Sequence, residues 1–206
     1  MKLAAKAGAD AIVIDSMVAG TGASAEVLLD HSGIPTVPAI VMAREALREL
    51  GLNGKVSLIV SGGIRGGADA AKALALGADA VAIGLASLIA LNCNKDIPEA
   101  DYEAEIGAAP GHCYHCHTGR CPVGVATQDM ELRKRLDPDE AAERVFNFLH
   151  TLTIEAQMFA RACGKTNIHS LEPEDLAALT MEASAMAAVP LAGTNHTVGV
   201  EDYHHL

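Results

Sequence analysis

The sequence predicts an α/β fold built on parallel strands, and three short apolar segments indicate it. Residues 11–15, 57–61 and 80–84 are apolar runs that lead into glycine-containing turns. Such runs, bounded by turn residues, are typical of buried parallel strands. Helical stretches at 38–51 and 67–76 separate them, so strands and helices alternate along the chain.

A weak internal repeat supports this order of elements. Residues 8–14 (GADAIVI) match residues 77–83 (GADAVAI), as expected for two βα units of about 35 residues each. Three such strands fit an open doubly wound sheet or the last strands of a (β/α)8 barrel, which needs about 250 residues. Because residues 2–6 look like the end of a helix, we expect the C-terminal part of a barrel, about three strands, within a longer architecture.

Composition excludes several classes of function. The chain has 206 residues, with 15 basic and 26 acidic side chains and a net charge of −11. Without a basic patch, and with only 3% aromatic residues, binding to nucleic acid is not expected. No uncharged apolar run approaches the length of a membrane span, and the N-terminus lacks the pattern of a signal peptide. We therefore expect a cytoplasmic protein without membrane association.

Glycine-containing loops follow the predicted strands and would meet at one edge of the sheet. Backbone N–H groups at a helix N-terminus bind anions, and glycine permits close approach. In a barrel, the loops after the last two strands form the standard phosphate site. This site would suit the phosphate of FMN, although the glycines could also serve only to turn the chain. The candidate cofactor-binding residues are Gly62, Gly63, Ile64 and Arg65, then Gly84, Leu85 and Ala86, and on the first loop Gly20, Thr21 and Gly22.

The most specific feature is a cysteine cluster. Cys113, Cys116 and Cys121 follow the spacing C-x2-C-x4-C, and a proline comes next. Clustered thiols in a cytoplasmic chain indicate metal or iron–sulfur ligation rather than disulfides, and proline after the last cysteine recurs in cluster-binding loops. Cys93 is a further candidate ligand, with three thiolates suiting [3Fe–4S] and four suiting [4Fe–4S]. Zinc is the rival because histidines interleave the cysteines, while Cys163 is predicted to be a buried structural thiol.

A helical appendage is predicted after the cysteines. Residues 128–162 form a long helical segment, with Asp137 and Pro138 as a start signal and Gly164 as a stop. A further helix is predicted from Pro173 to Ala188. The expected division of the chain is a partial barrel over 1–91, a cluster segment over 92–127, the appendage over 128–192 and a loose tail over 193–206.

Residues 116–128 (CHTGRCPVGVATQ) resemble the cluster-binding segment of glutamate synthase large subunits, whose pattern is C-H-x3-C-P-V-G-[VI]-A-T-Q. The Gly20, Gly62 and Gly84 loops resemble that family's flavin barrel in the same order, and the likeness covers about residues 3–190. The resemblance implies an FMN-binding (β/α)8 domain that forms L-glutamate from 2-oxoglutarate and ammonia, with a hydride from reduced FMN and electrons through an iron–sulfur cluster. It also implies a glutaminase partner, an electron-donor subunit or domain, and an oligomer or larger complex.

The same resemblance assigns cluster ligands. Cys116 and Cys121 match the family directly, and Cys93 takes the place of the first ligand, which would give [3Fe–4S]. Residues 94–112 look like an insertion, and Cys113 looks like an extra cysteine that could extend the set to [4Fe–4S]. No catalytic side chain is carried over, because the family's substrate-binding lysine belongs to earlier strands.

Three alternatives stay open at this point. The inserted cysteine loop also resembles stand-alone flavin subunits such as N-methylglutamate synthases, which use methylamine. A zinc-stabilised βα binding module without catalysis would explain the cysteines but not the glycine loops. The loop at residues 61–65 would suit a relative of IMP dehydrogenase too, although the segment 116–128 has no counterpart there. With open sheet edges, we expect the chain alone to be poorly soluble or oligomeric.

Overall fold

The computed structural model describes residues 1–20, 24–106 and 116–199, and within them a mixed α/β arrangement. A parallel sheet has the order β1-β2-β3. Its strands are β1 (Ala11–Asp15), β2 (Ser57–Ser61) and β3 (Ala80–Ala82). The helices are α1 (Lys2–Lys6), α2 (Glu26–His31), α3 (Thr36–Glu49), α4 (Gly67–Ala75), α5 (Leu85–Ala90), α6 (Glu99–Ile106), α7 (Met130–Arg133), α8 (Pro138–Ala162) and α9 (Met181–Ala187). Short 3-10 turns cover Cys116–Thr118, Ile168–Ser170 and Pro173–Asp175.

The core lies on one face of this sheet. Leu58 and Val60 of β2 are at most 1% exposed. They pack in one cluster with Ile40 and Leu47 of α3 and with Ala73 of α4. Two consecutive helices therefore cover the same face, because the alternation of side chains along β2 directs Leu58 and Val60 to one side.

Within the described residues the opposite face of the sheet is uncovered, which corrects the prediction of buried strands. Val13 of β1 is 59% exposed, and Ala11 and Asp15 beside it are exposed as well. The register pairs Val13 with Ile59, and Ile59 with Ala80, so these residues form one apolar layer on that face. An apolar run marks a strand that can be buried, but it carries no information about which layers are present to cover it.

The helix predicted from Pro173 to Ala188 is wrong over its first half. The Glu172 side chain accepts a hydrogen bond from the backbone N–H of Asp175, and the Asp175 side chain accepts one from the backbone N–H of Glu172. These two bonds form a capping box around a single 3-10 turn. Leu176 is then extended, and Ala178 pairs with the segment around Leu191. The α-helix begins only after Thr180, whose hydroxyl accepts from the Ala183 N–H.

Helix α8 joins the appendage to the sheet layer. Its Ala156 and Ala160 pack against Ala71 and Ala75 of α4, where small side chains allow the two helices to approach closely. Beyond α9, the first part of the predicted loose tail is anchored, since the Val198 N–H donates to Ser184 Oγ at 3.0 Å. No helix in the described ranges has both the length and the apolar character needed to cross a membrane.

Candidate functional site

The carboxyl ends of the three strands lie side by side. Asp15 pairs with Ser61, and Ser61 pairs with Ala82, so the loops that follow these strands leave the same edge of the sheet. The loop after β2 begins at Gly62, and the loop after β3 reaches Gly84. In open parallel sheets and in barrels alike, this edge is where ligands bind.

The backbone at Gly62 and Gly63 requires glycine. Their φ angles are +114° and +73°, a region that other residues rarely adopt. A Cβ on Gly62 would lie 2.1 Å from Ser16 Oγ. The chain therefore passes directly against the residue that follows β1, and this close approach fixes the position of the loop.

Two hydroxyl groups hold this loop from outside. Ser16 Oγ donates to the Ser61 carbonyl oxygen at 2.8 Å, and Thr36 Oγ1 donates to the Gly62 carbonyl oxygen at 3.0 Å. The two hydroxyl oxygens are themselves 2.6 Å apart. Ser16 is 8% exposed. A partly buried hydroxyl pair thus connects the end of β1 and the start of α3 with the glycine loop.

Two carboxylates accept hydrogen bonds from the backbone N–H groups at the start of α4. The Arg65 N–H donates to Asp69 Oδ2 at 3.0 Å, and the Gly67 N–H donates to Glu155 Oε2 of α8 at 2.7 Å. The side chain of Ile64 is 7% exposed and belongs to the core, whereas Arg65 is exposed. An anion at this edge would therefore meet the backbone around Gly63 rather than the first turn of α4.

The loop after β3 is open. Gly84 precedes α5, and a Cβ on Gly84 would meet no atom within 4 Å. Leu85 is 68% exposed and Ala86 is partly buried. The first N–H groups of a helix have no acceptor within that helix, so the start of α5 directs donors to the same edge as Gly63. In the loop after β1, Gly20 is exposed, while Thr21 and Gly22 lie outside the described residues.

The structure places the candidate metal ligands in different environments. Cys93 is partly buried behind α5, Cys116 is exposed and Cys121 is 5% exposed. Cys113 lies outside the described residues. Among the residues that are described, no three His, Cys, Asp or Glu side chains form a group that could hold a metal ion. The ligand set stays a prediction.

The backbone around Cys121 is nonetheless firmly held. Arg135 donates to the Pro122 carbonyl oxygen at 2.8 Å. Gly124 has a φ of +86°, and a Cβ there would lie 2.5 Å from the Leu132 carbonyl oxygen, so the turn packs tightly against α7. This turn and the segment around Cys93 line the same small cavity. Its lining includes Asn92, Lys95, Val123, Arg135 and Asp137.

Helix α7 is fixed by its own cap. The Asp129 carboxylate accepts hydrogen bonds from the Glu131 and Leu132 N–H groups at 2.8 and 3.0 Å. These backbone donors, Leu132 first, hold the pKa of Asp129 below its usual range. This cap fixes the start of the helix that follows the cysteine segment.

Comparison with known proteins gives the family. A family model described as a conserved region in glutamate synthase matches residues 1–99 and 102–166. The chain belongs to the glutamate synthase family. It is 55% identical over 193 residues to a glutamate synthase large subunit-like protein of Rhizobium meliloti, covering 94% of this chain. It is 45% identical over 167 residues to an archaeal glutamate synthase [NADPH] of Methanocaldococcus jannaschii, covering 81% of this chain.

The chain is shorter than these glutamate synthase relatives. It spans 43% of the length of the Rhizobium meliloti protein and 29% of the length of the Methanocaldococcus jannaschii protein. The family match and the two relatives bear out the family resemblance derived from the motif at residues 116–128.

One cysteine prediction is wrong, and four supporting residues were missed. Cys163 is exposed at the C-terminal cap of α8, because the helix ends there and turns its last residue away from the core. The missed residues act through hydrogen bonds to backbone groups, and all of them except Asp69 bond to groups far away in the sequence, which leaves no spacing pattern. They are Ser16, Thr36, Asp69 and Glu155.

Proposed function

We propose that this chain supplies the phosphate-binding edge and the iron–sulfur segment of a flavin-dependent glutamate synthase. The observation that carries the proposal is the conjunction, in one member of the glutamate synthase family, of two glycine loops at the carboxyl edge of a parallel sheet with the segment Cys116–Gln128. The three strands would be the last of a (β/α)8 barrel, whose standard phosphate site lies at this edge.

The residues at this edge fit an FMN phosphate. Gly63 is exposed and has a positive φ, and the start of α5 adds backbone donors beside it. Backbone N–H groups are suitable ligands for a phosphate without a charged side chain. Arg65 is exposed next to the loop, where it can add a positive charge to the same edge.

The cysteine segment fits an iron–sulfur cluster in its scaffold. Cys121 is buried and is followed by the turn that Arg135 and Gly124 hold. Cys93 lies in the sequence between Asn92 and Lys95, which line the same small cavity as Val123. We assign Cys93, Cys116 and Cys121 as ligands of [3Fe–4S], with Cys113 as the fourth ligand if the cluster is [4Fe–4S].

When bound, FMN would supply a hydride to the imine formed from 2-oxoglutarate and ammonia, and the cluster would supply electrons. The residues of this chain would hold and orient these cofactors. The Gly63 loop and the start of α5 would fix the phosphate, and the turn at Cys121 would fix the thiolates. A glutaminase and an electron donor are the partners of the proposal, in a complex that includes the rest of the barrel.

Iron content tests the proposal most directly. After anaerobic purification we expect iron and acid-labile sulfide in the wild type and a loss of both in Cys121→Ser. Cys163→Ser is the matched control, because Cys163 is exposed far along the chain from the cluster segment and should leave the iron content unchanged. Stoichiometric zinc without iron would instead support the zinc-stabilised module.

The amine substrate is identified by the product that the same preparations form once they are assembled with their partners. We expect 2-oxoglutarate and ammonia to yield L-glutamate with the wild type and with Cys163→Ser, but not with Cys121→Ser. Formation of N-methylglutamate from methylamine, with no glutamate from ammonia, would assign the chain to the N-methylglutamate synthase type.

A further inference from the structure

We propose that Thr36 is a positioning residue for flavin phosphate binding, and that the neighbouring Ser16 hydroxyl is dispensable for it. The Thr36 hydroxyl would hold the Gly62–Gly63 peptide so that the Gly63 N–H is directed to the phosphate. This inference rests on the proposed function, because it names the group that orients the donor at that same site. Neither residue belongs to the glycine loop itself.

The first step is the orientation of one peptide group. In a trans peptide the N–H and C=O groups point in opposite directions. The Gly62 carbonyl oxygen accepts from Thr36 Oγ1 at 3.0 Å. The N–H of the same peptide, which belongs to Gly63, is therefore directed away from Thr36 and α3. Gly63 is exposed, so this donor faces the open edge of the sheet.

The second step is the number of protons in the hydroxyl pair. Ser16 and Thr36 carry one hydroxyl proton each. Three short contacts compete for them: the two to the carbonyl oxygens of Ser61 and Gly62, and the 2.6 Å contact between the hydroxyls. When Thr36 donates its hydroxyl proton to Ser16 Oγ, the Gly62 carbonyl oxygen loses its donor. The two hydroxyls are thus not equivalent in their effect on the loop.

This asymmetry gives opposite expectations for the two side chains. Without the Ser16 hydroxyl, Thr36 can donate its proton to the Gly62 carbonyl oxygen at all times. The Ser61 carbonyl oxygen still accepts a hydrogen bond from the backbone N–H of residue 16, at 3.1 Å. Removing the Thr36 hydroxyl leaves the Gly62 carbonyl without that donor, and the peptide can rotate. The loop should therefore tolerate Ser16→Ala and not Thr36→Val.

The experiment compares FMN with riboflavin, which lacks the phosphate, on the full chain. For Thr36→Val we expect the FMN dissociation constant to rise about tenfold, the typical weight of one hydrogen bond to a charged group. The riboflavin constant should stay unchanged within error. Ser16→Ala should keep the preference for FMN, and Thr36→Ser should restore it. Thr153→Val, which removes a hydroxyl that donates to the Leu149 carbonyl oxygen within α8, is the control.

A spectroscopic readout covers the case in which Thr36→Val does not fold by circular dichroism. In the wild type, the Gly63 amide proton should move downfield on addition of FMN and not on addition of riboflavin. A wild type that shows no preference for FMN would overturn the proposed phosphate site together with this inference. A wild type that prefers FMN, with an unresponsive Gly63 amide or with the preference kept in a folded Thr36→Val, would overturn this inference alone.

Discussion

At the scale of single residues, Gly67 is a position where α4 and α8 approach each other closely. A Cβ on Gly67 would lie 2.3 Å from the Glu155 Cβ and 2.4 Å from the Leu152 carbonyl oxygen. The second contact is with backbone, so no side-chain rotation can relieve it. The absence of a side chain at Gly67 also lets its N–H reach the Glu155 carboxylate.

We expect Gly67→Ala to destabilise the chain by about 1–3 kcal/mol, the usual effect of adding atoms to a closely packed contact. The gain in helix propensity from alanine, up to about 1 kcal/mol, does not offset it. Urea unfolding followed by circular dichroism measures the difference.

Gly66→Ala is the matched control for that measurement. Gly66 has an extended φ of −161°, which alanine adopts freely. Its Cβ would lie 3.4 Å from Glu155 Oε2, an ordinary contact. Equal stabilities of the two variants would show that α4 and α8 are packed less closely at Gly67 than the distances require.

At the scale of elements, an ion pair connects the end of α8 with the turn at Pro173–Asp175. Lys165 Nζ donates to Asp175 Oδ2 at 2.5 Å and to Glu172 Oε1 at 2.8 Å. The hydrogen bond from Lys165, and then that from the Glu172 N–H, hold the pKa of Asp175 below its usual range.

The pH dependence of stability follows from the direction of that shift. A carboxylate with a lowered pKa in the folded state contributes stability above its unfolded pKa, about 3.9, and loses it as the pH falls through the folded value. We expect Asp175→Asn to lower the melting temperature at pH 7, and the difference from the wild type to shrink below about pH 4. Thermal unfolding at a series of pH values measures it.

Glu174→Gln serves as the control for the charge change. Glu174 is an exposed neighbour of Asp175 in the same turn. We expect its melting temperature to follow that of the wild type at every pH. A difference between wild type and Asp175→Asn that persists unchanged at pH 3 would mean that the carboxylate charge does not contribute.

Elements that carry their own pattern could be predicted from the sequence. The apolar runs gave β1 and β2 with their observed bounds, and helix propensity gave α4. The turn at Pro173 could not be predicted, because the capping box of Glu172 and Asp175 competes locally with continued helix and the extended Leu176 is favoured by pairing near Leu191. Local start signals do not show where a helix stops for tertiary reasons.

The candidate site divides in the same way. Gly62 and Gly63 could be predicted as loop residues, because a backbone with positive φ favours glycine. The groups that hold this loop and the start of α4 could not be predicted, since Thr36 donates to the Gly62 carbonyl 26 residues away and Glu155 accepts from the Gly67 N–H 88 residues away. A hydroxyl or carboxylate bonded to distant backbone looks like any surface residue until the fold brings the partners together.

At the scale of the whole molecule, the uncovered sheet face is the feature that decides how the chain behaves alone. Val13, Ile59 and Ala80 form an apolar layer on that face, and β1 and β3 pair with only one neighbour each among the described strands. Exposed apolar layers and unpaired strand edges both promote association. In the proposed barrel this face would be the interior.

We expect the purified chain to self-associate through this face, and Val13→Thr to raise the monomer fraction. Threonine keeps the β-branched shape that suits a strand, while its hydroxyl lowers the gain from apolar burial. Light scattering coupled to size-exclusion chromatography measures the effect. Val27→Thr is the control, because Val27 is 63% exposed on α2 and does not belong to the sheet. If both variants shift the distribution equally, general surface hydrophobicity drives association; if only Val13→Thr does, the sheet face is the contact that the rest of the barrel would cover.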